Sequence, residues 1–314
     1  MSVRLVITDA MWDRIEPLMP ADPVRGRRWA DHRRTLEAIA WKYRTGSPWR
    51  DLPDELGPFQ TAHKRLVRWA VDGTWERILA ALLAVADADA DIGWTVSVDS
   101  TVCRAHQHAA GARKRGHPGR AEPEDHALGR SRGGLSTKVH LASDSRARPL
   151  TIRVTGGQAG DAPAFETVMA GFRVPRTGLG RPRTRPEAVL ADRAYSSRAI
   201  RKHLRRRGIR AVIPQPSDQV GHRLRRGRAG GRPPAFDAEM YKQRNAVERC
   251  INRFKQWRGL AMRTDKLAIA YQAALHLAAI LVWARRQQPG DDSLAEQLEA
   301  AGEGMWKSQD FESC

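Results

Sequence analysis

Apolar side chains recur at helical intervals through residues 1–90, then give way to alternation. Arg34 to Tyr43 sets Leu36, Ile39, Ala40 and Tyr43 on one helix face, and Phe59 to Trp69 repeats the pattern through Ala62, Leu66 and Trp69. Asp9 is placed to cap an earlier helix. The run from Trp49 to Leu56 is short and Gly57-Pro58 interrupts it, so this part of the chain predicts helix, turn, helix. Off the apolar positions of the second helix lie His63, Lys64, Arg65 and Arg68. A helix entering a DNA major groove has this arrangement, with cations meeting phosphate beside it. A packing helix with a solvated basic face has it too.

From Trp94 the period becomes two. Thr95 to Asp99 alternates and ends on a carboxylate, and Leu135–Ser143 and Pro149–Thr155 are two more β-rich runs joined by the turn-like Asp144 to Arg148. These predict a three-strand meander. A helix over Asp161–Phe172, an apolar strand over Ala188–Asp192, a basic helix over Ser197–Arg207, a strand over Ile209–Ile213 and a long helix from about Asp237 follow. The expected fold is α/β: a mixed five-stranded sheet with flanking helices, preceded by an all-helical helix-turn-helix region. The expected division is a helical region over 1–90, a catalytic domain over 91–286 with long polar loops at 105–132 and 214–234, and an acidic flexible tail over 287–314.

Charge narrows the partner. Lys and Arg total 54 against 35 Asp and Glu, a formal charge of +19. That excess selects nucleic acid first and an anionic membrane second. A GC-rich coding sequence inflates arginine but does not explain its clustering. Leu267 to Ala284 is the longest apolar stretch, yet Gln272 and His276 interrupt it, which predicts a buried helix and no membrane span. No secretory signal is legible at the N-terminus, and the widely spaced Cys103, Cys250 and Cys314 form no disulfide framework, so a cytoplasmic location is expected.

Three acids carry the candidate chemistry. Asp99 and Asp192 each close a predicted strand; if those strands are parallel neighbours, both carboxylates emerge at one sheet edge. Glu248 comes from the last long helix. Counted from Tyr241 at about 100° per residue, Arg244, Glu248 and Lys255 fall at about 300°, 340° and 320°, one stripe between the apolar and solvent faces. Three carboxylates brought to about 4 Å repel by about 4 kcal/mol per pair at an effective dielectric near 20, so the cluster needs cations. Two Mg²⁺ ions, hard and oxygen-seeking, suit it, and Mn²⁺ can substitute; such a pair clamps both oxygens of an in-line phosphoryl displacement. Cys103, His106 and His108 lack the four spaced ligands of a closed zinc site. No Walker-type phosphate loop or nucleophilic Ser or Cys with a His partner is present, so no ATP or acyl chemistry is expected.

Val98-Asp99-Ser100-Thr101, Leu190-Ala191-Asp192-Arg193-Ala194-Tyr195 and Tyr241-x2-Arg244-x3-Glu248-x6-Lys255, in that order, resemble the three acid motifs of the DDE transposases of bacterial insertion sequences, specifically the IS-five-like family. Gly129 to His140, Gly231-Arg-Pro-Pro234 and Arg244 to Arg249 are similar to family segments as well, so the resemblance spans roughly residues 1–286. It implies a ribonuclease-H-like domain behind a helical region that binds terminal inverted repeats, cleavage at the element's ends, and attack of the 3′-hydroxyls on target double-stranded DNA by a homodimer on DNA. In that scheme Asp99, Asp192 and Glu248 are both catalytic and metal-binding. Arg244 and Lys255 hold flanking phosphates, and Tyr241 contacts a terminal nucleotide or packs beside Met240. Lys64, Arg65 and Arg68 contact DNA from the helical region. A nuclease of the same fold, or an inert DNA-binding regulator, are the competing expectations.

Overall fold

The computed structural model describes residues 4–24, 28–111 and 122–285; the tail at 287–314 and the middle of the segment at 105–132 lie outside the described residues. Four helices lead: α1 (Asp9–Ile15), α2 (His32–Thr45), α3 (Phe59–Val71) and α4 (Thr74–Ala88). Then follow β1 (Thr95–Ala105), α5 (Gln107–Ala110), β2 (Gly129–Ser131), β3 (Gly134–Ser143), β4 (Pro149–Gly156), α6 (Asp161–Gly171) and β5 (Ala188–Ala191). The last part holds α7 (Arg198–Arg206), β6 (Arg210–Val212), α8 (Ser217–Arg225), α9 (Ala238–Tyr241), α10 (Asn245–Lys255), α11 (Arg258–Ala261), β7 (Met262–Arg263) and α12 (Ala268–Ala284).

Local chemistry sets the ends of these elements. The Thr8 side chain, not Asp9, caps α1 by accepting from the Met11 N–H; Asp9 is the first helical residue and pairs with Arg33 at 2.6 Å. Asp31 caps α2 by accepting from the Arg34 N–H, and Gly46 ends that helix at φ +73°, a left-handed conformation that costs glycine little. Two short 3₁₀ turns, Trp49–Asp51 and Asp54–Leu56, join α2 to α3 as the turn signals predict.

The sheet is mixed and seven-stranded, in the order β2-β3-β1-β5-β6, with β4 on β3 and β7 on β1. Its long path β4-β3-β1-β5-β6 contains the five expected strands, antiparallel across β3 and parallel from β1 through β6. This is the ribonuclease-H-like arrangement. The two additions are short: β2 pairs with the start of β3, and β7 with the end of β1, where each gives backbone groups a partner. The sequence reading of 214–234 as a loop is corrected, because α8 and a 3₁₀ turn at Gly227–Gly230 occupy most of it.

One continuous apolar core runs from Ile7 to Ala284 across residue 90. Helix α12 is apolar on every side and buried on nearly every side, packing against α3, α4 and β4. Its first turn is capped from outside, since the Glu122 carboxylate accepts from the Ala268 and Ile269 N–H groups at 2.7 and 3.0 Å. No helix among the described residues is long and apolar enough to cross a membrane.

The helix also carries His276, 4 % exposed, whose pKa burial lowers to about 4, with Arg153 adding to the effect. A histidine depressed in the folded state favours folding fully above its unfolded value of about 6.5, and that contribution is lost as pH falls through about 4. At about 1.36 kcal/mol per unit, the loss is about 3 kcal/mol. Denaturant titrations between pH 7 and 4 are expected to show a shallower decline for His276→Leu than for the parent; an equal decline refutes this account.

Candidate carboxylate site at the end of the parallel ladder

Strands β1 and β5 run parallel with Val98 opposite Ala191, so Asp99 and Asp192 are the next residues along each chain and stand side by side. Their backbones part at that point. Asp192 leaves the ladder and caps a 3₁₀ turn over Arg193–Tyr195, accepting from the Ala194 N–H at 2.9 Å. Strand β1 does not end at Asp99 as its sequence suggests; it continues six residues to Ala105 because β3 keeps pairing with it as far as Arg104. Asp99 therefore sits within a strand, at the lip of the gap that the departing β5 opens.

Glu248 reaches the same lip from α10, which packs across β1 and β3. The expected single helix from Asp237 is three pieces, with α9 and α10 joined by a 3₁₀ turn at Lys242–Arg244, so the helical path continues but tightens at Arg244. Val247, Ile251 and Phe254 are buried, whereas Lys242, Arg249 and Gln256 are exposed, so the helical path has a core face and a solvent face. Arg244 joins the acids: its Nη2 donates to Asp99 Oδ2 and its Nη1 to Glu248 Oε1, each at 2.6 Å. One guanidinium thus holds the first and third acids together.

The electrostatics register all three acids. Burial pushes the Asp99 carboxyl above its ordinary range; the Ser100 N–H and Arg244 oppose the shift, while Asp192 and Glu248 add to it. Tyr195, buried beneath the Asp192 turn, has its phenol pushed upward by burial and by the charges of Asp161, Asp99 and Asp192. Asp161 was expected only to begin a helix. In the structure it accepts from Ser100 Oγ at 2.5 Å and Lys138 Nζ at 3.1 Å, while the Ser100 N–H donates to Asp99 Oδ1 at 2.7 Å. This chain from Lys138 through Asp161 and Ser100 braces Asp99 from behind. No periodicity could have shown it, because its members come from β1, β3 and α6.

The donor set is all carboxylate oxygen, which suits a hard divalent cation. Among the described residues no three of His, Cys, Asp and Glu stand together as a preformed metal cage, and the Arg244 guanidinium supplies the positive charge between Asp99 and Glu248. Cys103 is buried, while His106 and His108 meet edge to face 4.4 Å apart between ring centres, on the outside of the fold.

The remaining predicted site residues separate. Tyr241 packs with Met240 on Ala188, Leu190 and Val212 and lies 5.3 Å from the Phe236 ring, so its edge-packing role is real. Lys255 is exposed and forms no ion pair among the described residues. It lies seven residues beyond Glu248 on α10, about 10 Å further along the axis at about 1.5 Å per residue. Lys64 and Arg68 are exposed on α3 and line a groove of about 1210 Å³ with His63, Lys42 and Lys266. Arg65 requires correction as a DNA contact: it is 5 % exposed, its guanidinium lies 3.9 Å from the Trp29 ring centre, and Nη1 is 3.1 Å from His32 Nδ1. Burial, with Arg68 adding, lowers it to about 10. Its position, one residue from Leu66, turns it inward.

Comparison with known proteins gives the following similarities. The family described as "Transposase DDE domain" matches residues 92–283, and that described as "Putative transposase of IS4/5 family (DUF4096)" matches residues 7–79. An uncharacterized protein, y4sN, of Sinorhizobium fredii is 40 % identical over 110 residues, 34 % of this chain and 83 % of that protein. The "Putative transposase for insertion sequence element IS6501" of Brucella ovis is 28 % identical over 151 residues, 48 % of this chain and all of that protein. Among solved structures, the Mos1 transposase paired-end complex aligns over 76 % of this chain and 80 % of that one, with 12 % identity and a TM-score of 0.24.

Proposed function

The chain belongs to the DDE transposases, in their IS4/5-like branch, and on that premise we propose that it binds the terminal inverted repeats of an insertion sequence, cleaves the DNA at those ends and transfers the 3′-hydroxyl strands to target DNA. The observation that carries this reading is that strand register sets Asp99 beside Asp192 at the end of the β1–β5 ladder and that Arg244 bonds both Asp99 and Glu248.

The family's chemistry uses divalent metal. Asp99, Asp192 and Glu248 would hold it, as two Mg²⁺ ions replaceable by Mn²⁺; when bound, the ions supply Lewis-acid charge at the reacting phosphate and lower the pKa of water or a 3′-hydroxyl. The chain's own groups orient the DNA. Arg244, released from the acids, forks onto a phosphate flanking the scissile bond, and Lys255 meets the backbone further along the same stripe. Tyr241 borders the entry beside them. Lys64 and Arg68 contact phosphates of the inverted repeat from α3, and residues 1–90 serve as the DNA-binding region of the catalytic domain over 91–286. Strand transfer exchanges one phosphodiester for another, so no ATP is required. Two ends must meet, so the active species is a homodimer on DNA, acting on the bacterial nucleoid in the cytoplasm.

The test is a plasmid bearing the gene's own flanking ends, incubated with the protein, a target plasmid and Mg²⁺, with product junctions sequenced. Joined products bounded by short target duplications are expected. Hydrolysed ends without joining reduce the protein to a nuclease, and uncut ends that are nonetheless bound make it a regulator.

A further inference from the structure

A second basic groove flanks the carboxylates. Strands β1, β5 and β6 are parallel, with Leu190 opposite Val212, so the segments leaving β5 and β6 emerge at the same sheet edge as Asp99 and Asp192. The first segment becomes α7 and the second runs through α8 to Pro234. Between them lies a groove of about 1020 Å³. Arg198, Lys202 and Arg205 line it from α7, and Arg223, Arg226 and Arg232 from the opposite wall; Asp218 is the one acidic residue in the lining. None of these six cations forms an ion pair with the described residues, although Arg210, a neighbour outside the lining, pairs with Asp237.

The walls are built. Arg201 donates to Ser196 Oγ at 3.0 Å and the Ile213 carbonyl at 2.8 Å, tying α7 to the end of β6. On the other side the chain closes on itself at Gly230, where an added Cβ would lie 2.1 Å from the Arg223 carbonyl oxygen, and Gly231 adopts φ +71°. The Nε of Arg223 is buried without a hydrogen-bond partner among the described residues. Six cations without protein counter-charges on two fixed walls sum to a positive potential along the groove, and a polyanion is the partner of complementary charge that fills it, releasing the small counterions that otherwise screen them.

We propose that this groove is a phosphodiester track: it holds the backbone of duplex DNA running into the carboxylate edge, independent of base sequence. The proposal rests on the transposase reading and specifies where DNA lies beyond the scissile phosphate. Its ligand chemistry is the DNA backbone, which either the element's flank or the target can supply.

The test uses the full chain with Lys202→Gln, Arg205→Gln and Arg226→Gln combined, all three exposed. A charge-matched control combines Arg173→Gln, Arg176→Gln and Arg181→Gln, which are exposed in the segment leading into the opposite end of β5. Thermal unfolding verifies that both variants fold. Binding to an inverted-repeat duplex and to a duplex of unrelated sequence is measured across salt concentration. Each lost phosphate contact lowers the slope of log K against log salt by about 0.9, so the groove variant is expected to lose about 2 to 3 in slope and roughly 100-fold in affinity near 0.15 M salt. Loss confined to the inverted-repeat duplex, measured with its flank attached, identifies the flank; loss on the unrelated duplex identifies the target. An unchanged slope on both, or an equal loss in the control, overturns the groove while leaving the transposase reading intact. A parent chain that binds neither duplex overturns that reading instead, and the groove with it.

Discussion

Asp99→Asn is expected to lower cleavage of an inverted-repeat end by at least about 10³-fold while leaving duplex binding within a few-fold of the parent. Asn keeps the shape of the side chain and its place in β1, and still accepts from the Ser100 N–H, so the strand and its bracing by Asp161 and Lys138 survive. What it removes is charge. A second readout is independent of turnover: a divalent ion at 100 times its dissociation constant stabilises the folded state by about 2.7 kcal/mol. For a chain of 314 residues, at about 2.1 cal/mol/K of unfolding entropy per residue, that raises Tm by about 4 °C. Mg²⁺ or Mn²⁺ should raise the parent's Tm in this way, and Asp99→Asn should lose most of the gain. Cleavage that persists, together with an unchanged metal response, removes Asp99 from the site.

Arg244→Gln is expected to act with opposite signs on the two states of the site. Without divalent ions the variant leaves Asp99 and Glu248 facing each other with no cation between them. Glu248 is 54 % exposed and water screens the repulsion, so the loss of stability is about 1–2 kcal/mol, well below that of a fully buried pair. With divalent ions the order reverses: the metal no longer has to displace a guanidinium, so the variant's Tm should rise more than the parent's. Cleavage should nonetheless fall by about 10² or more, because the phosphate fork is gone. Equal metal-induced shifts in parent and variant would show that Arg244 and the metal do not compete for the acids.

Two features of the N-terminal helices show how far local pattern reaches. The periodicity of α2 and α3 was legible because 3.6-residue spacing is a property of one segment. Which cations on α3 face water was not. Lys64 and Arg65 are neighbours in sequence, yet Lys64 is exposed whereas Arg65 is clamped between Trp69 of its own helix, His32 of α2 and Trp29 of the loop before α2, and the last two are brought there by the fold. The loop reading of 214–234 failed similarly: its Arg and Gly content looks unstructured in isolation, but α8 forms in the segment after β6, where Gln219 accepts from Ser196 Oγ at 3.1 Å.

The sequence by itself determined the kinds of element, the long strands of the sheet, the buried α12, and the placing of Arg244 and Glu248 on one side of the last helical path, because each is written in local spacing. Tertiary structure alone decided that Asp99 lies within β1, that Arg244 ties it to Glu248, that Asp161 and Lys138 brace it through Ser100, and that α7 and the chain after β6 form one basic groove. Those features depend on which strand keeps its partner and which leaves, and pairings between residues tens of positions apart leave no trace in the period of either one.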